Sequence, residues 1–190
     1  GNEQDFWFSA LYAAWAHQLR GDRAAARAAF DSARVYLDSW LRQFPDDRDA
    51  RGDARVWDAH CDRGMALAGL GRRDEALREA RCLQQSVLYR EDAIDGAALA
   101  ESRALILAQT RDAEAALDEI ERLLARPANF SVHNLRLDPR WDTIRAHPRF
   151  QALLAKSHAT TVHCGIRPTL GAGNGGRGVG SLRYGSVRIR

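Results

Sequence analysis

The chain has 190 residues, enough for one domain with a sizeable core. Hydrophobic residues make up 45% and charged residues 28%, with no run of 18 apolar residues and no charged-then-apolar leader, so no membrane span or signal peptide is expected. The formal charge of +3 is misleading: residues 157–190 hold Arg167, Arg177, Arg183, Arg188 and Arg190 and no acid, leaving 23 basic against 25 acidic residues before them. A basic surface for nucleic acid would therefore rest on the tail alone.

Alanine, leucine, arginine and acidic residues dominate the first 156 positions, a helical composition. The chain opens at Gly1-Asn2 without methionine and runs almost at once into a helical pattern, so the domain is expected to continue upstream. Helices are predicted over residues 4–19, 23–43, 49–69, 73–88, 92–109 and 112–126. Residues 127–133 are read as a loop, and two short helices are expected after Asp138 and His147, each opened by a proline at a position suited to the first helical turn. Past Lys156 eight of the last 34 residues are glycine and the helical period stops; this tail, 157–190, is expected to be disordered because it buries too little apolar surface to offset its ordering entropy.

Aligning the turns exposes a repeat. Gly21 has Ala14 behind it and Ala26, Phe30 and Ala33 ahead; Gly71 has Gly64 behind and Ala76, Ala80 and Leu83 ahead. Trp7 and Trp57 stand at the same place near the start of each first helix. A weaker third unit runs through Ala104, Leu107, Ala116, Ile120 and Leu123, with Arg111 where the turn glycine would be. Small residues at such positions let paired helices approach, and a larger one fills the gap between hairpins.

These positions, with Asp95-Gly96, Pro127, Ser131, Leu135-Arg-Leu-Asp-Pro139 and Pro148-Arg-Phe150, resemble the tetratricopeptide-type (TPR) helical domains at the C-termini of bacterial signalling proteins: serine/threonine protein kinases, adenylate cyclases and transcriptional regulators. The resemblance covers roughly residues 5–156. Arg111 and the Gly/Arg-rich tail depart from it. It implies an all-α fold: a TPR-like right-handed α-solenoid of about three hairpins, closed by two short helices whose Trp141, Ile144, Phe150 and Leu153 cover the last hairpin. It also implies a non-catalytic interaction or self-association module at the end of a multidomain protein. The readings left open beside it are the regulatory C-terminal region of a kinase whose lobes lie elsewhere, and a standalone scaffold. The cytoplasm is the expected compartment, or the periplasm if a membrane span precedes the domain.

By the TPR register the inward positions of the first helices are Phe8, Leu11, Trp15 and Gln18, then Asp58, Cys61 and Met65, then Glu101 and Leu105. Aromatic anchors among a few polar groups suit an extended peptide, a partner helix or a second copy. For Phe8 and Trp15 packing against a preceding repeat is the slightly favoured expectation. The rest of the sequence points away from chemistry, and no cofactor, metal or small-molecule substrate is expected. Gly171-Ala-Gly-Asn-Gly-Gly176 fits a phosphate-loop pattern but lacks the flanking strand and helix. Adjacent His60 and Cys61 project about 100° apart on a helix and do not face one ion. Cys61, Cys82 and Cys164 form no disulfide framework, and the acids lie beside arginines as on solvated helix faces.

Overall fold

The computed structural model describes residues 3–43, 54–126 and 130–160. The chain divides into a unit spanning Gly1–Thr160 and a second spanning Thr161–Arg190; the second, and with it Cys164 and the expected tail from Thr161 on, lies outside the described residues, whereas residues 157–160, expected in that tail, continue the last helix. Among the described residues all regular structure is helical: α1 (Glu3–Leu19), α2 (Arg23–Leu41), α3 (Ala54–Gly69), α4 (Arg73–Gln85), α5 (Val87–Glu91), α6 (Asp95–Gln109), α7 (Ala113–Leu124), α8 (Val132–Leu137), a 3-10 turn (Pro139–Trp141) and α9 (Pro148–Thr160). No helix among them is long and apolar enough to cross a membrane.

Three antiparallel pairs, α1–α2, α3–α4 and α6–α7, are joined by one kind of turn. Gly21 N–H donates to Gln18 C=O at 3.0 Å and Asp22 N–H to His17 C=O at 2.9 Å. The same two bonds recur at Gly71 and Arg72, and again at Arg111 and Asp112. This crossed pair satisfies the last carbonyls of each first helix and requires a left-handed residue at its centre. Gly21 (φ 78°) and Gly71 (φ 76°) adopt that conformation readily, whereas Arg111 adopts it at φ 64° with a side chain attached. The missing glycine therefore leaves the third turn intact but strained, by about 1–2 kcal/mol. Arg111→Gly should raise stability by about 1 kcal/mol once glycine's larger unfolded-state entropy is subtracted. A urea midpoint at or below that of the parent would contradict the strain.

Register follows from the turns. Ala26, Ala76 and Ala116 are buried, as are Phe30, Ala80 and Ile120, and Ala33, Leu83 and Leu123. Gly64 shows why the matching place on the first helices stays small: a Cβ there would lie 2.4 Å from Ile106 Cδ1. The hairpins pack on their neighbours in order, α3 against α2 and α6 against α3 and α4.

A second repeat of chemistry is carried by charge. Arg63 of α3 pairs with Glu79 of α4, and Arg103 of α6 pairs with Glu119 of α7, both pairs sixteen residues apart and in the same register about their turns. Arg63 also reaches back to Asp38 of α2, and Arg103 donates to Ala80 C=O of α4, so each arginine ties its own hairpin to the preceding one. His60 Nδ1 lies 2.7 Å from Glu79 Oε2, and the Tyr89 hydroxyl donates to Glu119. In the first hairpin Ala13 and Ala29 hold the equivalent places.

The ends expected at 43 and 126 fall two residues early, at Leu41 and Leu124, and the short helix expected after Asp138 is a single 3-10 turn; three boundaries differ for reasons visible in their hydrogen bonds. The helix expected over 73–88 ends at Gln85, because Ser86 is extended (φ −61°, ψ 142°) and its hydroxyl accepts from Tyr89 N–H to start α5. The helix expected from 92 starts at Asp95: the Asp92 carboxylate accepts from Ile94 and Asp95 N–H at 2.8 and 2.7 Å and holds the preceding turn open. The loop expected through His133 stops at Ser131, where the Asn134 side-chain oxygen accepts from Ser131 N–H at 3.0 Å and caps α8. Residues 49–53 of the expected third helix lie outside the described residues.

Candidate interaction groove

Trp141, Ile144, Phe150 and Leu153 are buried in one core cluster with residues of α3, α4, α6 and α7, together with Phe130 and Leu135. Asp138 builds the turn that brings Trp141 there: its carboxylate accepts from Arg140 N–H at 2.8 Å, and Pro139 supplies the first position. Arg145 donates to the carbonyls of Leu135, Arg136 and Asp138, tying the connection from Trp141 to α9 back onto α8. The turn packs on α6, the first helix of the third hairpin.

That placement redistributes the nine inward positions. Leu11, Cys61, Met65 and Leu105 are buried, and the last three share their cluster with Trp141. They are core, with no surface left for a partner; the cap belongs to the same apolar layer. Burial pushes the Cys61 thiol well up from its usual pKa, which disfavours the reactive thiolate form. Phe8 is 38% exposed and lies against the Trp7 ring at 6.0 Å; Gln18 and Asp58 are exposed. Trp15 and Glu101 are half-buried and meet at one point, the guanidinium of Arg140. It sits 5.1 Å from the Trp15 ring centroid, with Glu101 at 4.0 Å and Asp138 at 2.6 Å.

Beside this contact lies a cleft of about 320 Å³ between Trp15, Gln18 and Leu19 of α1, Gln109 of α6, and Pro139 and Thr143 of the cap. Leu19 is 63% exposed at its rim. The aromatic surface continues along α1 to Tyr12, which meets Trp15 edge-on at 5.5 Å and is 66% exposed. The Trp15 indole N–H is buried without a hydrogen-bond acceptor.

Asp62 of α3 is buried and its Oδ2 accepts from the Trp7 indole N–H at 3.0 Å. Burial pushes its pKa up to about 7; the neighbouring Asp58 charge adds to the rise, and the Trp7 hydrogen bond and Arg140 oppose it. Glu101 is raised too, first by burial and then by Asp138, against the pull of Arg140.

Asp62 and Arg140 were not among the sequence-derived positions. Asp62 falls between Ala59 and Ala66 at helical spacing, a sign that it faces the interior. Arg140 sits inside the Leu-Asp-Pro-Arg-Trp segment, but its partner Trp15 is 125 positions away, and nothing local announces the contact. His60 and Cys61 diverge as expected, one toward Glu79 and the other into the core. Comparison with family models, with curated proteins and with solved structures returned no match.

Proposed function

We propose that this chain is a TPR-like right-handed α-solenoid of about three hairpins with a capping segment, and that it works as a non-catalytic module for protein–protein interaction or self-association. The observation that carries the reading is the cleft between α1, α6 and the cap, where Trp15, Leu19 and Gln18 present apolar and polar surface side by side on a packed scaffold. A rigid aromatic flanked by amide side chains suits an extended peptide, because it loses little conformational entropy on binding and supplies both area and orientation. The mechanism is passive: the stacked hairpins hold the groove preformed. In a multidomain bacterial signalling protein, an occupied groove would reposition the attached output domain, and the regulatory end of a serine/threonine kinase is one such setting.

The test is selection of displayed 12-residue peptides on the full chain, followed by binding to Trp15→Ala. Selected peptides should lose at least about 2 kcal/mol of affinity on that change, as expected of a central aromatic anchor. Sedimentation of the chain over a wide concentration range decides whether a second copy is the occupant. Peptides that bind Trp15→Ala as tightly as the parent, in a chain that also stays monomeric, would rule the groove out.

A further inference from the structure

We infer that the inner face of the hairpins is built to receive an arginine side chain, that Arg140 fills the position from within the same chain, and that a partner peptide presenting an arginine competes for it. The inference rests on the groove reading above and names its ligand chemistry.

The receptor walls come from two hairpins. Trp15 of α1 offers its ring face at 5.1 Å from the guanidinium carbon, within the range of a cation–π contact. Glu101 of α6 stands at 4.0 Å, the outer limit of an ion pair. Arg140 is meanwhile held at 2.6 Å by Asp138, two residues before it in the cap itself. The hairpins' own carboxylate is thus only loosely engaged by the internal arginine. Glu101 is the hairpin carboxylate that faces this guanidinium, and Arg140 pulls down the pKa of both Glu101 and the buried Asp62. A guanidinium suits the place better than an ammonium, because its plane lies on an indole while its edge donates to a carboxylate. The adjoining cleft of about 320 Å³ has room for the backbone on either side of that arginine.

The arrangement is therefore an intramolecular complex. A ligand tethered to its receptor is present at an effective concentration in the millimolar range, so a free peptide competes poorly until the tethered arginine is removed. Removing it need not release the cap, whose hold is the burial of Trp141, Ile144 and Phe150.

The experiment titrates a capped peptide copying residues 137–142, Leu-Asp-Pro-Arg-Trp-Asp, and its twin with citrulline for arginine, into the full chain and into Arg140→Ala. Calorimetry reads affinity, and Arg140→Met, which keeps an apolar reach over Trp15, replaces the alanine variant if that one fails to fold. The arginine peptide should bind the variant roughly tenfold or more tightly than the parent, and citrulline should abolish the difference. If both peptides bind both proteins alike, the groove stands as a peptide site and the arginine position is overturned. If neither peptide binds the variant, the inference falls, and the Trp15-dependence of selected peptides judges the groove by itself.

Discussion

Replacing Trp141 by alanine should lower the stability of the domain by about 3–5 kcal/mol, the usual range for deleting a fully buried large aromatic. The ring is 0% exposed, meets Phe130 edge-on at 6.1 Å, and joins the cluster that carries Met65 and Leu105. Cutting it back to Cβ leaves a cavity between the cap and α6 that rigid helices close only in part. One effect runs the other way: the indole N–H is buried without an acceptor, so its removal lifts a penalty of about 1–3 kcal/mol. The packing term is larger, because the whole ring surface is lost against one polar atom. Trp141→Phe separates the two, keeping most of the ring and dropping the N–H, and its loss should be clearly the smaller. At about 2–4 °C per kcal/mol, Trp141→Ala should melt roughly 10 °C below the parent. Superimposable melting curves would mean that the ring is not part of the core.

The second large effect is on pH dependence. Asp62 has its folded pKa pushed up to about 7 from the ordinary 3.8, chiefly by burial. Between those values the folded chain keeps the proton and the unfolded chain has lost it. The contribution is fully favourable below about pH 3.8, declines as pH rises, and is gone above about 7, where the carboxylate is charged in both states. At about 1.4 kcal/mol per pH unit the full swing is on the order of 4 kcal/mol. Asp62→Asn keeps a side-chain oxygen for the Trp7 indole and abolishes the titration. The variant should therefore gain on the parent steadily from pH 4 to 7 and hold a constant lead at pH 8. The other carboxylates cancel in that difference, which makes paired urea titrations across the range the appropriate measurement. Glu101, raised by the same cause, remains in both chains. A difference that stays flat with pH would show that Asp62 is ionised in the folded state throughout.

Much of the hairpin scaffold was legible in the residues. Glycines at 21 and 71 announced left-handed turns, and the alanines at fixed distances from them marked where helices pack closely, because both signals act over a few residues. The third unit kept its turn despite Arg111: two carbonyl-satisfying bonds and the packing behind them outweigh a strain of about 1–2 kcal/mol. The paired Arg63–Glu79 and Arg103–Glu119 were visible in principle, as an arginine before and a glutamate after each turn at equal distances. Glu79 and Glu119, expected on solvated helix faces with Asp74, Glu75, Arg78, Asp118 and Arg122, are instead buried, because Arg63 and Arg103 reach across each hairpin to pair with them. The break at Ser86 left less trace: Leu83, Val87, Leu88 and Tyr89 continue a helical composition, and no glycine or proline interrupts it.

What the sequence determined by itself was the all-helical class and the turn positions, since periodicity and turn chemistry are local; the inward face expected of each first helix holds buried Cys61 and Met65 together with exposed Gln18 and Asp58. Whether that face is open was decided only by the tertiary structure. Cys61, Met65 and Leu105, expected on that face, are core, while Trp15 and Glu101 are half-buried. The difference arises because Cys61, Met65 and Leu105 share a packed cluster with Trp141, while Trp15 and Glu101 meet the Pro139–Trp141 turn through the half-buried Arg140 guanidinium. The position of that turn depends on how the three hairpins pack and how far the cap reaches back, and no period along one helix contains that distance.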